Sequence, residues 1–403
     1  YFYGEMRAGC IELVSCWFLP LHALLLIRLC ELPSARRALL VALNLGSIAL
    51  FNWYYTAFAG LFTLAFAAWR FTLGGSNRGR TLGWMGAAVL LAAASNVPML
   101  PLVRAQAPAR APITAETFSE ANWALANRIS SGEMGLDALS GDTLANHDAM
   151  QVAINSTSLA NLVAAPFGTN PLESTPGGIA LALGLFGLVA AGRRGLGWAS
   201  MAGVFGILTL GPFLLVDATP PIPGWSSDRP LPYFYLYNEL PFFSMVYRPY
   251  RLVVIVLLSL SALAALGFGR LRWRHRRWLA VVVFGAGASQ PHWAGDRPAR
   301  DTPASAEVPE AYHQLADLPE GGAIELPLHY LPVSTANARY QYYQSVHKKP
   351  LLNCNELILS ADLVRFRDYV SANSFLVSLL DLGRSEPPYQ FSGQDLQRLL
   401  DDG

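Results

Sequence analysis

Charge is what this chain has least of. Only 14% of its 403 residues are Asp, Glu, Lys or Arg, against about 25% in an ordinary soluble domain. Basic and acidic residues nearly cancel, 29 against 28, for a net charge of +1. No basic stripe with interleaved aromatics runs along the sequence, which argues against a nucleic-acid partner. Cysteine is scarce as well. Cys10, Cys16, Cys30 and Cys354 have neither the spacing of a zinc site nor the density of a disulfide framework. No P-loop, zinc signature or nucleophile elbow is present. The chain opens on Tyr1, and no n-region, short apolar core and cleavage site follow. Its last residues, SGQDLQRLLDDG, read as a capped helix with nothing after it. Both ends read as cuts through a longer protein.

What fills the chain instead is apolar: 53% of residues are hydrophobic, and the mean hydropathy is +0.31. One globular core cannot absorb that much. The apolar residues lie in blocks through Gln290 and thin afterwards, so the sequence divides into a membrane part, 1–290, and a soluble part, 291–403. The blocks fall at 11–30, 38–69 (two spans broken near FNWYYT), 81–97, 177–191, 196–216, 251–269 and 278–289. They predict about eight spans, since a crossing helix needs about 20 apolar residues. The blocks at 177–191 and 278–289 are short and must thin the bilayer or sit partly in protein.

Arginine sets the orientation. The links between spans carry Arg28, Arg36 and Arg37; then Arg70, Arg78 and Arg80; then Arg193 and Arg194; then Arg270, Arg272, Arg274, Arg276 and Arg277. The positive-inside rule makes all of these links cytoplasmic, and they alternate without conflict. Loops 98–176 and 217–250 therefore face outward, as does the tail. Aromatics mark the outer boundary: Trp53, Tyr54 and Tyr55 in one cluster, with Trp225, Tyr233, Tyr235, Tyr237, Phe242 and Phe243 in another. The second cluster is expected to fold back as a re-entrant or interfacial segment, because PIPGW and RPLPY do not suit regular helix.

The tail reads as a small α/β unit. Residues 308–318 and 362–380 have helical periodicity, 321–328 reads as a buried strand, and Ser392 with Asp395 starts a third helix. The predicted fold is thus an α-helical polytopic membrane bundle with an extracytoplasmic α/β domain, both incomplete.

Chemistry gathers where the second outer loop enters its span. Arg248 and Arg251, three residues apart, share a helical face and can fork around a phosphate. The competing reading is that they snorkel to headgroups and anchor the helix end. Pro249 between them favours a placed site. Glu116, Glu120, Glu133, Asp137, Asp142 and Asp148, with His147, lie in the first outer loop without telling spacing and read as solvated. Asn155-Ser-Thr fits a glycosylation sequon. His22, Asn44 and Asn52 are polar groups in or near spans and are expected to face the bundle interior. Tyr247, together with Tyr340, Tyr343 and His347 in the tail, could contact a sugar or acceptor, since rings and amides stack on and hydrogen-bond carbohydrate. A packed helix explains the tail cluster equally well. No metal ligand set is visible, although a divalent metal is compatible with this chemistry.

The order LTLGPFLL, a Pro-rich loop, LPYFYLYNELPFFSMVYRPYRLVVI, a span and an Arg-rich turn is similar to the second half of YfhO-type bacterial membrane proteins, relatives of the GT-C glycosyltransferases. SLANLVAAPFGTNPL resembles their outer-loop segment, and AIELPL with RYQYYQSVHKKPLLN resembles their outer soluble part. The resemblance implies a multi-pass protein of the bacterial inner membrane. It would move sugar from a polyprenyl-phosphate donor to an envelope glycan, lipid or protein on the outer face. It also implies that the catalytic carboxylate lies in a loop upstream of Tyr1, leaving Arg248 and Arg251 as lipid-phosphate contacts. A non-catalytic membrane scaffold for envelope assembly is the rival reading. A transporter is disfavoured by the lack of inverted repeats and of charges within spans.

Overall fold

A computed structural model describes residues 16–73, 78–99, 177–214, 230–240, 248–271, 308–319, 321–326, 335–352 and 368–381, with short pieces between them at 101, 112–114, 152, 155–159, 162, 243, 246, 278 and 281. The chain divides into two compact units. The first comprises Tyr1–Ala107 with Gln151–Asp296, and the second Pro108–Met150 with Arg297–Gly403.

The described part of the first unit is mostly helical, with non-helical segments at 155–158, 211–214 and 230–231. Its helices are α1 (Phe18–Glu31), α2 (Ala35–Phe51), α3 (Trp53–Leu73), α4 (Arg78–Asn96), α5 (Gly178–Ala191), α6 (Leu196–Thr209), α7 (Pro232–Glu239) and α8 (Val253–Arg270). Short polar or Pro-containing signals cut the apolar runs. Leu32 precedes Pro33 and leaves helical geometry, ending α1. Arg37 then donates to the carbonyls of Arg28 and Leu32 and closes the α1–α2 turn. Asn52 breaks the run at FNWYYT as expected. Its backbone is extended, and its Oδ1 accepts the amides of Tyr54 (2.8 Å) and Tyr55 (3.3 Å), capping α3.

Two helical stretches, Arg78–Met99 and Pro249–Arg270, are long and apolar enough to cross a membrane. The other expected spans are not shown as full crossings. Helices α1, α5 and α6 have 14 residues each, about 21 Å at 1.5 Å per residue, short of a hydrocarbon core of about 30 Å. Of the block at 278–289, only Trp278 and Val281 are described, both helical and exposed.

Packing is tightest between α5 and α8. A Cβ on Gly187 would collide with the Leu263 carbonyl oxygen, and one on Gly267 would lie 2.7 Å from the Gly187 Cα. Glycine is therefore what lets these backbones approach. An aromatic seam joins α3 to α6, with the Phe62 ring 6.2 Å from Trp198 and 6.5 Å from Phe205. The outward faces are apolar instead of polar. Leu64, Leu90 and Val189 are 67%, 73% and 77% exposed, and Leu43, Leu50 and Leu185 are exposed as well.

Polar groups sit inside. His22 is fully buried; its Nε2 lies 2.8 Å from Thr63 Oγ1, which donates onward to Ala59 O at 2.7 Å. Asn44 Nδ2 lies 3.4 Å from His22 Nδ1 and also donates to Phe18 O, which fixes the amide nitrogen as the donor to the ring. One chain of hydrogen bonds thus links α1, α2 and α3.

The second unit contains α9 (Glu310–Asp317), α10 (Thr335–His347) and α11 (Ser374–Asp381). Tyr312 on α9 packs on Tyr343 of α10 at 4.2 Å and stacks with His347 at 6.0 Å. Lys349 Nζ donates to the carbonyls of Leu318 and Pro319 and caps the end of α9. The expected strand at 321–328 is not formed in its described part. Ala323 makes one parallel bridge to Leu351, and Ala323, Ile324 and Glu325 are half-buried. Proline explains the short pairing: Pro350 contributes only its carbonyl, and Pro327 follows directly. No strand occurs among the described residues, so an α/β second domain is not shown. The helix expected at 362–380 is interrupted, because Asn373 leaves helical geometry and its Oδ1 caps α11 through the amides of Phe375 and Leu376. The third tail helix lies outside the described residues.

Candidate functional site

The site forms in the first unit, where several non-helical segments meet the start of α8. A 3-10 turn at Pro249–Leu252 precedes that helix. Proline suits the turn because its fixed φ is helical and its missing N–H would have had no helical partner. Around the turn the backbone is knitted together. Tyr250 N donates to Asn155 O (3.1 Å), Thr157 N to Thr209 O (2.9 Å) and Leu231 N to Pro212 O (2.8 Å). Gly211 makes the crossing possible. Its φ of +78° is a left-handed conformation, and a Cβ there would run into Ser156 and approach Pro249 Cγ at 3.6 Å.

Helix α7 braces the site. The expectation that RPLPY resists helix is corrected: Pro232 occupies the first turn, where it costs no hydrogen bond. Tyr233 is buried, donates to Val246 O, and lies 5.4 Å from the Phe243 ring. Phe234 packs edge-on against Phe213 at 5.6 Å.

Arg251 is the centre. It is 3% exposed. Its guanidinium carbon lies over the Tyr54 ring at 4.8 Å and over the Tyr250 ring at 5.7 Å. Each such contact is worth about 0.5–1 kcal/mol at an exposed site and about 2 or more when desolvated. Opposing them, a cation at the positive end of a helix costs about 0.3–1 kcal/mol. The rings offset that helix-end cost and lie against the guanidinium. The turn and the guanidinium also make this end of α8 electropositive, which suits an anion.

Arg248 is half-buried at the start of the turn, and its carbonyl accepts from Arg251 N at 3.1 Å. The structure thus places both arginines on one turn, with Arg251 buried instead of reaching out to a headgroup layer. Tyr247 lies outside the described residues. So do Glu116, Glu120, Glu133, Asp137, Asp142, Asp148 and His147.

Sequence reasoning missed Tyr54, which it read only as part of an aromatic belt. It read the segment at 155–158 only as a glycosylation sequon and the start of an outer-loop segment, not as a strap against the turn. Thr157 and Ser158 are buried, so the Asn155 sequon sits in packed structure with its threonine hydroxyl enclosed.

In the second unit, Tyr340 and Tyr343 are each 9% exposed and His347 is 3% exposed. Tyr340 donates to Leu326 O at 2.8 Å, and His347 Nδ1 accepts from Lys349 N at 3.1 Å. These rings form the core between α9 and α10, and Tyr342 is the ring of that group left exposed. Burial, and then the hydrogen bond to Glu325 Oε2 at 3.0 Å, raise the Tyr312 phenol above its ordinary range. Among the described residues, no group of three or more His, Cys, Asp and Glu could hold a metal ion.

No protein-family model, curated protein or solved structure matches this chain.

Proposed function

We propose that this is a multi-pass protein of the bacterial inner membrane, of the YfhO-type, GT-C-like kind. It would transfer sugar from a polyprenyl-phosphate donor to an envelope glycan, lipid or protein on the outer face. The observation that carries the reading is the buried Arg251, held by Tyr54 and Tyr250 at the electropositive start of α8. Three further features support it. Leucine and valine cover the outward helix faces, as lipid-facing surfaces require. Two stretches meet the length and apolarity of a span. The basic links alternate along the sequence with the loops that lead to Arg251, and this reading takes that end as the outer side.

In this reading the isoprenoid tail lies against the apolar helix faces with its phosphate beside Arg251. The acceptor hydroxyl oxygen attacks the anomeric carbon as the C–O bond between sugar and phosphate breaks; the phosphate leaves as an anion, and Arg251 and Arg248 stabilise the charge that develops on it. A carboxylate takes the proton from the acceptor hydroxyl; no described residue is assigned that task.

The test is transfer of radiolabelled sugar from a polyprenyl-phosphate donor by the full chain in proteoliposomes. Replacing Arg248 and Arg251 by Gln is expected to raise the KM for donor at least about tenfold, matching the loss of a charge-assisted hydrogen bond of about 1.5–3 kcal/mol. An unchanged KM would refute the assignment. Donor binding without any transfer would favour the scaffold.

A further inference from the structure

Arginines far apart in the sequence meet at one end of the first unit. Helices α5 and α8 run parallel in close contact: Gly184 packs on Leu260, Gly187 on Leu263 and Ala264, and Gly267 on Phe186. Both helices therefore finish at the same level, α5 in a 3-10 turn at Gly192–Arg194 and α8 at Arg270. Glycine fixes the turn. Gly192 has φ +57°, its carbonyl accepts from Gly195 N at 2.9 Å, and a Cβ on Gly195 would lie 3.1 Å from Leu263 Cδ2. Arg193, Arg194 and Arg270 are all exposed. The carboxylates among the described residues of this unit are Glu31, paired with Arg28 at 3.4 Å, and Glu239 on α7, past the far end of α6. No ion pair to the three arginines occurs among the described residues.

The surface leading to these charges is apolar. Leu185 and Val189 are exposed along α5 up to the turn, and Leu196, Val204 and Ile207 are exposed along α6 away from it. Charge alone would suit any anion. Charge at the end of two exposed apolar stripes suits an anion that carries acyl chains, which cover the stripes while its phosphate meets the guanidiniums. An acidic soluble protein would neutralise the arginines and leave the stripes bare. We propose that Arg193, Arg194 and Arg270 bind the headgroup of an anionic phospholipid whose acyl chains lie along α5 and α6. A guanidinium offers a phosphate two parallel N–H donors, and the glycine contacts gather the three before any lipid arrives. This rests on the membrane reading of the first unit and not on Arg251. The 18 residues of α8, about 27 Å of helix, separate the two ends.

The experiment titrates the detergent-solubilised full chain with dioleoyl phosphatidylglycerol, read by native mass spectrometry, with phosphatidylcholine as the zwitterionic comparison. An arginine beside an anionic headgroup is worth about a fivefold gain in binding. Phosphatidylglycerol should therefore bind at least about tenfold more tightly than phosphatidylcholine, the gap narrowing as ammonium acetate rises. Replacing Arg193 and Arg194 together by Gln should cost at least about tenfold in phosphatidylglycerol affinity, and Arg270→Gln about fivefold. Phosphatidylcholine binding should not change. All three side chains are exposed, so these variants keep the fold. Arg78→Gln with Arg80→Gln removes the same charge from the start of α4 and should leave affinity within about twofold, because exposed charges away from the site are screened. Equal losses in the two double variants would overturn the site and leave only diffuse attraction to a basic surface. Equal binding of the two lipids would overturn headgroup recognition, and displacement by excess inorganic phosphate would overturn the acyl-chain contacts. If the expressed full chain fractionates away from membranes, the membrane reading itself fails.

Discussion

Single residues carry several consequences that can be measured. His22 donates from Nε2 to Thr63 and accepts at Nδ1 from Asn44, so it joins three helices through one ring. Thr63→Val removes the acceptor while keeping the shape, and should destabilise the first unit by about 0.5–2 kcal/mol in a mixed-micelle unfolding titration. Combined with His22→Phe, the two losses should be clearly non-additive. Lys348 has φ +58° just past the end of α10, where its amide bonds to Gln344 O at 2.7 Å. That is a left-handed helix cap, so Lys348→Gly should raise the stability of the second unit by about 0.5–1 kcal/mol, read by thermal melting. Tyr312 gives a pH signature. Because the folded unit raises its pKa, an unfolded chain loses that proton first, above about pH 10. Its contribution is intact below that value and is lost as pH rises through the higher folded pKa. The phenolate difference spectrum between wild type and Tyr312→Phe should therefore have its midpoint above the ordinary tyrosine range; a midpoint near 10 would contradict the burial argument. The residue types at the candidate site were legible in advance. RPYR announced two guanidiniums at a helix entry, but the burial of Arg251 under Tyr54 depends on a contact between distant parts of the chain that local periodicity does not encode.

At the scale of elements, apolar runs and breakers gave the helices well. Asn52, Pro33 and the positive-φ glycines at 177 and 192 mark boundaries for plain steric and capping reasons. What proved harder was the meaning of proline and of a short strand pattern. Pro232 was read as a helix breaker, yet in the first turn it starts α7. The run at 321–326 has a strand's composition, yet the flanking prolines leave it a single bridge. The helix pair α5–α8 gives the sharpest test of packing. Gly187→Ala places a methyl against the α8 backbone at Leu263, which cannot move aside as a flexible side chain would. The cost should be about 1–3 kcal/mol, seen as a lower melting temperature in detergent. Gly203→Ala, with open space around its Cβ position on α6, is the control that should not lower the melting temperature, since alanine is the better helix former.

For the molecule as a whole, the account rests on which side of a bilayer each segment faces. In a background with the native cysteines replaced by serine, Glu310→Cys at the start of α9 should react with a membrane-impermeant maleimide in intact cells. Ala35→Cys, at the start of α2 beside Arg36 and Arg37, should react only after permeabilisation. Both residues are exposed, so a failure to label would reflect sidedness and not burial. Reversal of the pattern would turn Arg251 towards the cytoplasm. The most direct measurement is photo-crosslinking of the reconstituted full chain with a polyprenyl-phosphate probe carrying its reactive group beside the phosphate, followed by peptide mapping. The account expects adducts on the turn at Pro249–Leu252 and around Tyr54, lost in Arg251→Gln and suppressed by unlabelled polyprenyl phosphate. Adducts elsewhere that persist in Arg251→Gln would contradict it.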